Sequence, residues 1–416
     1  MNKSLSLLTL LLCAAAAPAE TLHERALRIH RDAIVVDSHE DLPDRLAREW
    51  VDIGTRQKTG HVDIPRLKEG GVTNPFFAAY VPAEFAAKGG SAKKALEQIE
   101  LVHRLVESHS ELIFADSPAA VRAAKKDGKI AVSIGIEGGH AIEDSLGALQ
   151  AFYRLGVRYM TLTHTNTNQW ADSSGSFFQY DFVPKKYAVH NGLTDFGREV
   201  VLEMNRLGML VDVSHVSDKT AQDVLAVSKA PVFASHSSCR ALADMPRNVT
   251  DEEIRGVASK GGVIMVNFSS TFLDQKVVDE YKAKKAALAP EVARLTEELK
   301  NDPQKLDAEI AKLVDAISTA RAPWTMVVDQ IEHVLKVGGP QSAGLGADYD
   351  GMPNPPDGLE DVSKLPIVTE ELLRRGHSEA EVRGVLGENF LKFWERVEAG
   401  RGTVPPRSGP GPFSKP

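Results

Sequence analysis

Two neighbouring stretches of this chain each end on a residue able to bind a cation. Gly208-Met209-Leu210-Val211-Asp212-Val213-Ser214-His215 is an apolar run that stops at a histidine. Pro231-Val232-Phe233-Ala234-Ser235-His236 repeats the pattern about one helix later. Between them, Ser217 offers an N-cap, and Ala221, Val224, Leu225 and Val227 recur at roughly helical spacing. Strand, helix and strand at this separation make two parallel neighbours in one sheet, with both imidazoles side by side at the carboxyl ends. A single histidine in such a place is commonly a buried structural residue. Two in register point to a shared ligand, most simply a metal ion.

The same pattern places His39 and Asp41, Glu137, His164 and Asp348 at the ends of other apolar runs. Hard carboxylates and imidazoles without cysteine suit Zn²⁺ best, with Mn²⁺, Fe²⁺ or Co²⁺ also compatible. One ion would not use so many ligands and still leave a position for water. Two ions would: His39 and Asp41 on one, His215 and His236 on the other, with Glu137 bridging. A water held between two cations loses its proton near neutral pH and becomes the nucleophile. Asp348 is then the acceptor that carries the proton to the leaving group, and His164 the hydrogen-bond donor to the developing oxyanion. Each residue has a plainer reading alone: Glu137 as a turn residue before Gly138-Gly139, Asp348 as a helix N-cap, His164 as a core histidine. The coincidence of all seven at strand ends favours the joint reading. His140 and Asp350 read as supporting or structural residues. His190 falls in a loop, and His23, His30, His61, His103, His109, His333 and His377 fall at surface or helix positions.

Eight strand candidates supply these ends: Ala33–Asp37, Val72–Tyr80, Ile130–Ile136, Val157–Thr163, the opening pair, Gly262–Asn267 and Gly344–Asp348. Helical patterns separate most of them. Thr194 opens one, and the Thr250/Glu253 and Ser378/Glu381 pairs form capping boxes for two more, the last running toward Val397. Alternation of this kind predicts an α/β fold, a (β/α)8 TIM-type barrel with loop and helical insertions at its C-terminal face; a doubly wound open sheet is the rival. The insertions are Thr165–Asn191, polar with Trp170, Phe177, Phe178 and Tyr180, and Leu273–Ala320, charged amphipathic helices broken by Pro290 and Pro303. Both follow strands at the active-site end, where a lid or pocket wall is expected.

The chain has 416 residues, a formal charge of −8 and 25% charged residues, ordinary for a globular protein and adverse to a nucleic-acid partner. Lys3, the apolar run Leu5–Leu12 and Ala17-Pro18-Ala19 form a signal-peptide pattern over residues 1–19, implying periplasmic or secreted location. Cys13 raises a lipoprotein signal, but Leu12 before it is bulkier than such signals prefer. Removal of the leader leaves Cys239 alone and therefore no intramolecular disulfide, which suits a periplasm. Residues 20–400 read as one domain and 401–416 as a Pro/Gly-rich tail, with no transmembrane anchor expected.

The motifs DSHEDLP, DIPRLKEGGV, GIEGGHAI, RYMTLTHTNTN, GLTDFGREVVLEMNRLGMLVDVSHVSD, FASHSSCRALADMPRNVTDE and GADYDG, together with DGLEDVSKLP, resemble the membrane dipeptidase (renal dipeptidase) family of the amidohydrolase superfamily, from about His39 to Trp394. The resemblance implies a binuclear zinc barrel that hydrolyses free dipeptides, with broad side-chain tolerance, D-residues accepted at the C-terminal position and some β-lactams opened. It implies the ligand set above and a homodimer. It also adds Arg247, in MPRNV, as the clamp for the dipeptide carboxylate, a pairing that guanidinium chemistry suits. The chain departs from the pattern at Glu40, where asparagine is common, which adds a negative charge beside the metal site. The segment Phe268–Phe272 lacks the tyrosine of animal members, and their disulfides and lipid anchor are not expected. Two other readings compete: an amidohydrolase acting on N-acyl-amino acids, cyclic amides or β-lactams, and a non-catalytic metal-binding barrel.

Overall fold

The computed structural model describes residues 20–175 and 188–402. Its strands are β1 (Val36–Glu40), β2 (Asn74–Tyr80), β3 (Leu112–Phe114), β4 (Ile130–Glu137), β5 (Val157–Thr161), β6 (Leu210–Asp212), β7 (Val232–Ala234), β8 (Val263–Val266) and β9 (Ala343–Leu345). All pair in parallel, in the order β2-β1-β9-β8-β7-β6-β5-β4-β3. A further pairing of β2 with β4, from Phe76↔Ser133 to Tyr80↔Glu137, closes eight of them into a barrel. The fold is the (β/α)8 barrel predicted from the alternation of patterns. β3 is a ninth strand outside it, paired with the first residues of β4, Ile130–Val132, before β4 turns its remaining length to β2.

The barrel interior holds an aromatic layer. Phe76, Tyr159 and Phe233 pack with Phe390, Phe393 and Trp394 of the C-terminal helix Asn389–Ala399, all six fully buried. Burial of each such ring contributes on the order of 1.5–3 kcal/mol. That helix is separated from Glu379–Arg383 by a π-helical turn, Gly384–Glu388, so the single helix expected from Ser378 is two. The predicted N-caps hold: Ser217, Thr194, Thr250 and Ser378 each accept from the backbone N–H three residues on, the last two in full capping boxes.

The first strand departs from expectation in a way that positions the site. It begins at Val36 and runs on through His39 to Glu40. Asp37 pairs with Pro75 and Glu40 with Phe77, so Ser38 and His39 together oppose the single residue Phe76. This β-bulge turns His39 inward beside Ser38 and leaves Glu40 on the outer face with Asp37. Among the described residues, no helix is long and apolar enough to cross a membrane. The leader pattern, Phe177, Phe178, Tyr180 and the Pro/Gly-rich tail beyond 402 lie outside the described residues.

Candidate active site

Glu137 is the last residue of β4, and its two carboxylate oxygens face different histidines. Oε1 lies 3.0 Å from His215 Nε2, 3.3 Å from His236 Nε2 and 3.8 Å from His164 Nε2. Oε2 lies 3.7 Å from His39 Nε2, which is itself 3.5 Å from Asp41 Oδ2. The rings of His39 and His236 stack at 3.7 Å between centroids. His39, Asp41, Glu137, His164, His215, His236 and Asp348 are therefore gathered in one place, from positions as far apart in sequence as His39 and Asp348.

The turns that aim these side chains are locally strained. His215 and Asp348 have φ of 66° and 67°, in the left-handed region that non-glycine residues rarely adopt. The surroundings hold both. The His215 carbonyl accepts from Ser174 N–H at 2.8 Å, Thr163 Oγ1 at 3.0 Å and Ser173 Oγ at 3.1 Å. Asp348 donates its N–H to the His39 carbonyl at 3.0 Å and accepts from Asn267 Nδ2 at 2.9 Å on Oδ2. Gly351 closes the same turn, and a Cβ there would lie 2.0 Å from Asp41 Oδ2 and 2.5 Å from Asp348 Oδ1. Glycine is thus required where the two carboxylates converge. Asp350 supports the turn from behind, paired with Arg45 at 3.0 Å and accepting the His61 N–H at 2.6 Å.

Hydrogen bonds on the far side of the rings decide which nitrogen faces the cluster. Ser235 Oγ donates its only proton to Asp212 Oδ2 at 2.6 Å, so it accepts from His236 Nδ1–H at 2.7 Å. His236 Nε2 is left with a bare lone pair aimed inward. His39 Nδ1 meets the Tyr159 hydroxyl at 2.7 Å. A carbon on Gly135 would fall 2.0 Å from the Tyr159 ring, so the absence of a side chain at Gly135 makes room for that buttress. Tyr159, Asp212 and Ser235 are functional neighbours that motif reading did not single out. The signal available for them was only strand alternation.

The donor set fits metal ions. His39 Nε2 and Asp41 Oδ1 are buried with no hydrogen-bond partner, and His215 Nε2 and His236 Nε2 approach to 3.0 Å. Three overlapping sets could each hold an ion: His39/Glu137/His236, Glu137/His164/His215 and His39/Asp41/Asp348. Burial alone would raise the Glu137 pKa, but the His164 and His39 imidazoles and the His215 and His236 hydrogen bonds hold it well below the usual carboxylate range. Burial, with Arg247 nearby, keeps His215 well below the ordinary imidazole value, which favours the neutral form that a metal needs. Glu40 is buried on the outer face, where desolvation and then the Asp37 and Asp350 carboxylates push it well above the usual range, toward the neutral acid.

Arg247 lies at the edge of the cluster, 6% exposed, with Nη1 donating to Ser237 Oγ and Nη2 to the His236 carbonyl at 2.7 Å. Its Nε is buried without a partner, and burial draws its pKa down to about 10. A cavity of about 630 Å³ opens over Asp41, Glu137, His164, His215, Arg247 and Asp348. The helical insertion forms part of its wall, as predicted, through Tyr281, Val314 and Ile317. His140 sits behind, buried and 3.3 Å from the Pro82 carbonyl, its pKa pulled down to about 4 by desolvation. His30 lies in a helix, as expected, and is buried there, and His190 bonds the Asn168 carbonyl at 2.9 Å.

Comparison with known proteins agrees with this geometry. The profile of the family described as membrane dipeptidase (peptidase family M19) matches residues 23–406. Mouse dipeptidase 3 is 36% identical over 382 residues, covering 91% of this chain and 67% of that protein. A metallopeptidase from Rhodobacter sphaeroides, solved with a phosphinate mimic of the dipeptide L-Ala-D-Ala, superposes with a TM-score of 0.69 at 26% identity, covering 88% of this chain and 99% of that one. The probable dipeptidase PvdM from Pseudomonas aeruginosa shares the fold with a TM-score of 0.79 at 24% identity over 91% of this chain and 99% of its own. The chain therefore belongs to the membrane dipeptidase family, peptidase family M19, and is a metal-dependent dipeptidase.

Proposed function

We propose that the protein is a binuclear zinc dipeptidase of broad side-chain tolerance. His39 and Asp41 would hold one ion and His215 and His236 the other, with the Glu137 carboxylate within reach of both sets. The observation that carries this reading is the division of Glu137: one oxygen faces His39, the other His215 and His236. When bound, the two ions polarise the scissile carbonyl and acidify the attacking water.

The chain's own groups do the rest. Arg247 pairs with the dipeptide's free carboxylate, which fixes the peptide bond over Glu137, while the cavity wall supplied by the insertions excludes longer chains. Asp348, steadied by Asn267, accepts the proton of the water as its oxygen bonds to the carbonyl carbon. As the C–N bond breaks, Asp348 returns that proton to the departing amine. His164 donates a hydrogen bond to the oxygen that gathers charge. The L-Ala-D-Ala mimic bound by the Rhodobacter relative supports acceptance of a C-terminal D-residue. The leader pattern around Leu5–Leu12 and Ala17 supports export to the periplasm, and the family resemblance supports a homodimer.

C-terminal amidation of a good dipeptide substrate tests the carboxylate anchor. Amidation is expected to lower kcat/KM by at least ~10²-fold, whereas N-acetylation tests the competing acylamino-acid reading. Equal turnover of free and amidated forms would remove Arg247 from its role.

A further inference from the structure

The cavity is divided by charge. Every acidic group on its lining lies on or just after β1, β4 and β9: Asp41, Asp44, Glu137, Asp348 and Asp350, with Arg48 paired to Asp44. The half over β8 and the helical insertion has no carboxylate, ammonium or guanidinium among its described lining residues. It presents Ser269, Thr271, Ser318 and Thr319, and its apolar lining is Phe272, Met352 from the β9 loop, and Ile317 of the insertion, which packs on the same small core as the fully buried Val314. This wall is well supported. Val314 and Ile317 belong to the insertion's own small core with Val292 and Ile310, and Phe272 packs on Met245 and Val278.

Arg247 stands at the boundary of the two halves, its guanidinium carbon 5.8 Å from the centre of the Phe272 ring. If Arg247 anchors the carboxylate, as proposed above, the Cα next to that carboxylate is held beside the apolar half. We infer that the apolar lining of Phe272, Ile317 and Met352 receives the side chain of the C-terminal residue and selects for apolar ones there. A charged side chain in that position would be stripped of water with no ion to pair with. A leucine or phenylalanine would exchange water for apolar contact, and a glycine would leave the wall unused. The substrate's amine end lies toward Asp41 and Asp348, so the N-terminal side chain is not read by this surface.

The test compares kcat/KM across two series on the zinc-loaded enzyme: Ala-Gly, Ala-Leu, Ala-Asp and Ala-Lys for the C-terminal position, and Ala-Gly against Leu-Gly for the N-terminal one. Wild type is expected to favour Ala-Leu over Ala-Gly by at least ~10-fold and to disfavour Ala-Asp and Ala-Lys. In Ile317→Ser the Ala-Leu to Ala-Gly ratio falls severalfold, and in Ile317→Asp the Ala-Lys to Ala-Leu ratio rises. Both readouts are ratios and are insensitive to the fraction of enzyme that folds. The inference is overturned if the wild-type ratio is near one, or if the Ile317 variants shift the Leu-Gly to Ala-Gly ratio instead. Equal hydrolysis of amidated dipeptides would instead strike the Arg247 anchor itself and remove the inference with it.

Discussion

In two of the cluster histidines, the ring nitrogen turned away from the site does as much to define it as the one turned in. His236 is fixed by Ser235 and Asp212, and His39 by the Tyr159 hydroxyl. Groups of this kind set the tautomer and ring orientation of metal-binding imidazoles, and their loss typically weakens metal binding 10–100-fold. Tyr159→Phe is accordingly expected to lower zinc affinity by about that factor with the far-UV circular dichroism unchanged, measured by competition with a chelator. Unaltered affinity would make Tyr159 a packing residue. The inward-facing histidines and carboxylates were legible in the sequence because each stands just beyond an apolar run. Tyr159 and Ser235 were not, because a tyrosine or serine in a strand has an ordinary packing explanation until its partner is known.

At the scale of elements, the barrel was legible wherever strand and helix alternate over enough residues to show a period. β3, Leu112–Phe114, escaped notice because its short apolar run, between Glu111 and Asp116, leads to no histidine, unlike the equally short β6 and β7. The bulge in β1 escaped for another reason: register is set by the partner strand, here Pro75 and Phe77 of β2, and no local pattern records it. The bulge nevertheless delivers His39 to the interior. β4 supplies the matching space through Gly135, and Gly135→Ala would drive a methyl into the Tyr159 ring. This variant is expected to lose about 1–3 kcal/mol of stability by overpacking and to bind zinc more weakly, because Tyr159 must leave His39. Thermal unfolding with and without zinc measures both effects, and a variant with wild-type Tm and affinity would show that the ring moves freely.

At the scale of the whole molecule, buried neutral groups make stability depend on pH. His30, in the first helix Leu22–Asp32, is 2% exposed and donates from Nε2 to the Gly70 carbonyl at 2.8 Å, with Nδ1 2.7 Å from Thr369 Oγ1. Burial pulls its pKa down to about 4. The unfolded chain takes up this proton near pH 6.5 and the folded one only near 4. The stabilisation from His30 is therefore complete above about pH 6.5 and lost as pH falls toward 4, on the order of 3 kcal/mol. Denaturant midpoints from pH 7 to 4 should fall more steeply for wild type than for His30→Gln, and parallel profiles would contradict this. The sequence marked His30 only as a helix residue, since the helix's partner, Pro366–Arg374, lies over three hundred residues away.

The proposed binuclear centre at these distant strand ends has one consequence that a single experiment reads: two ions would share Glu137. The zinc-to-protein ratio after equilibration with excess zinc and desalting measures it directly. The account predicts two ions per chain in wild type and fewer than two in Glu137→Ala. One ion per chain in wild type, or two retained without the Glu137 carboxylate, would contradict it.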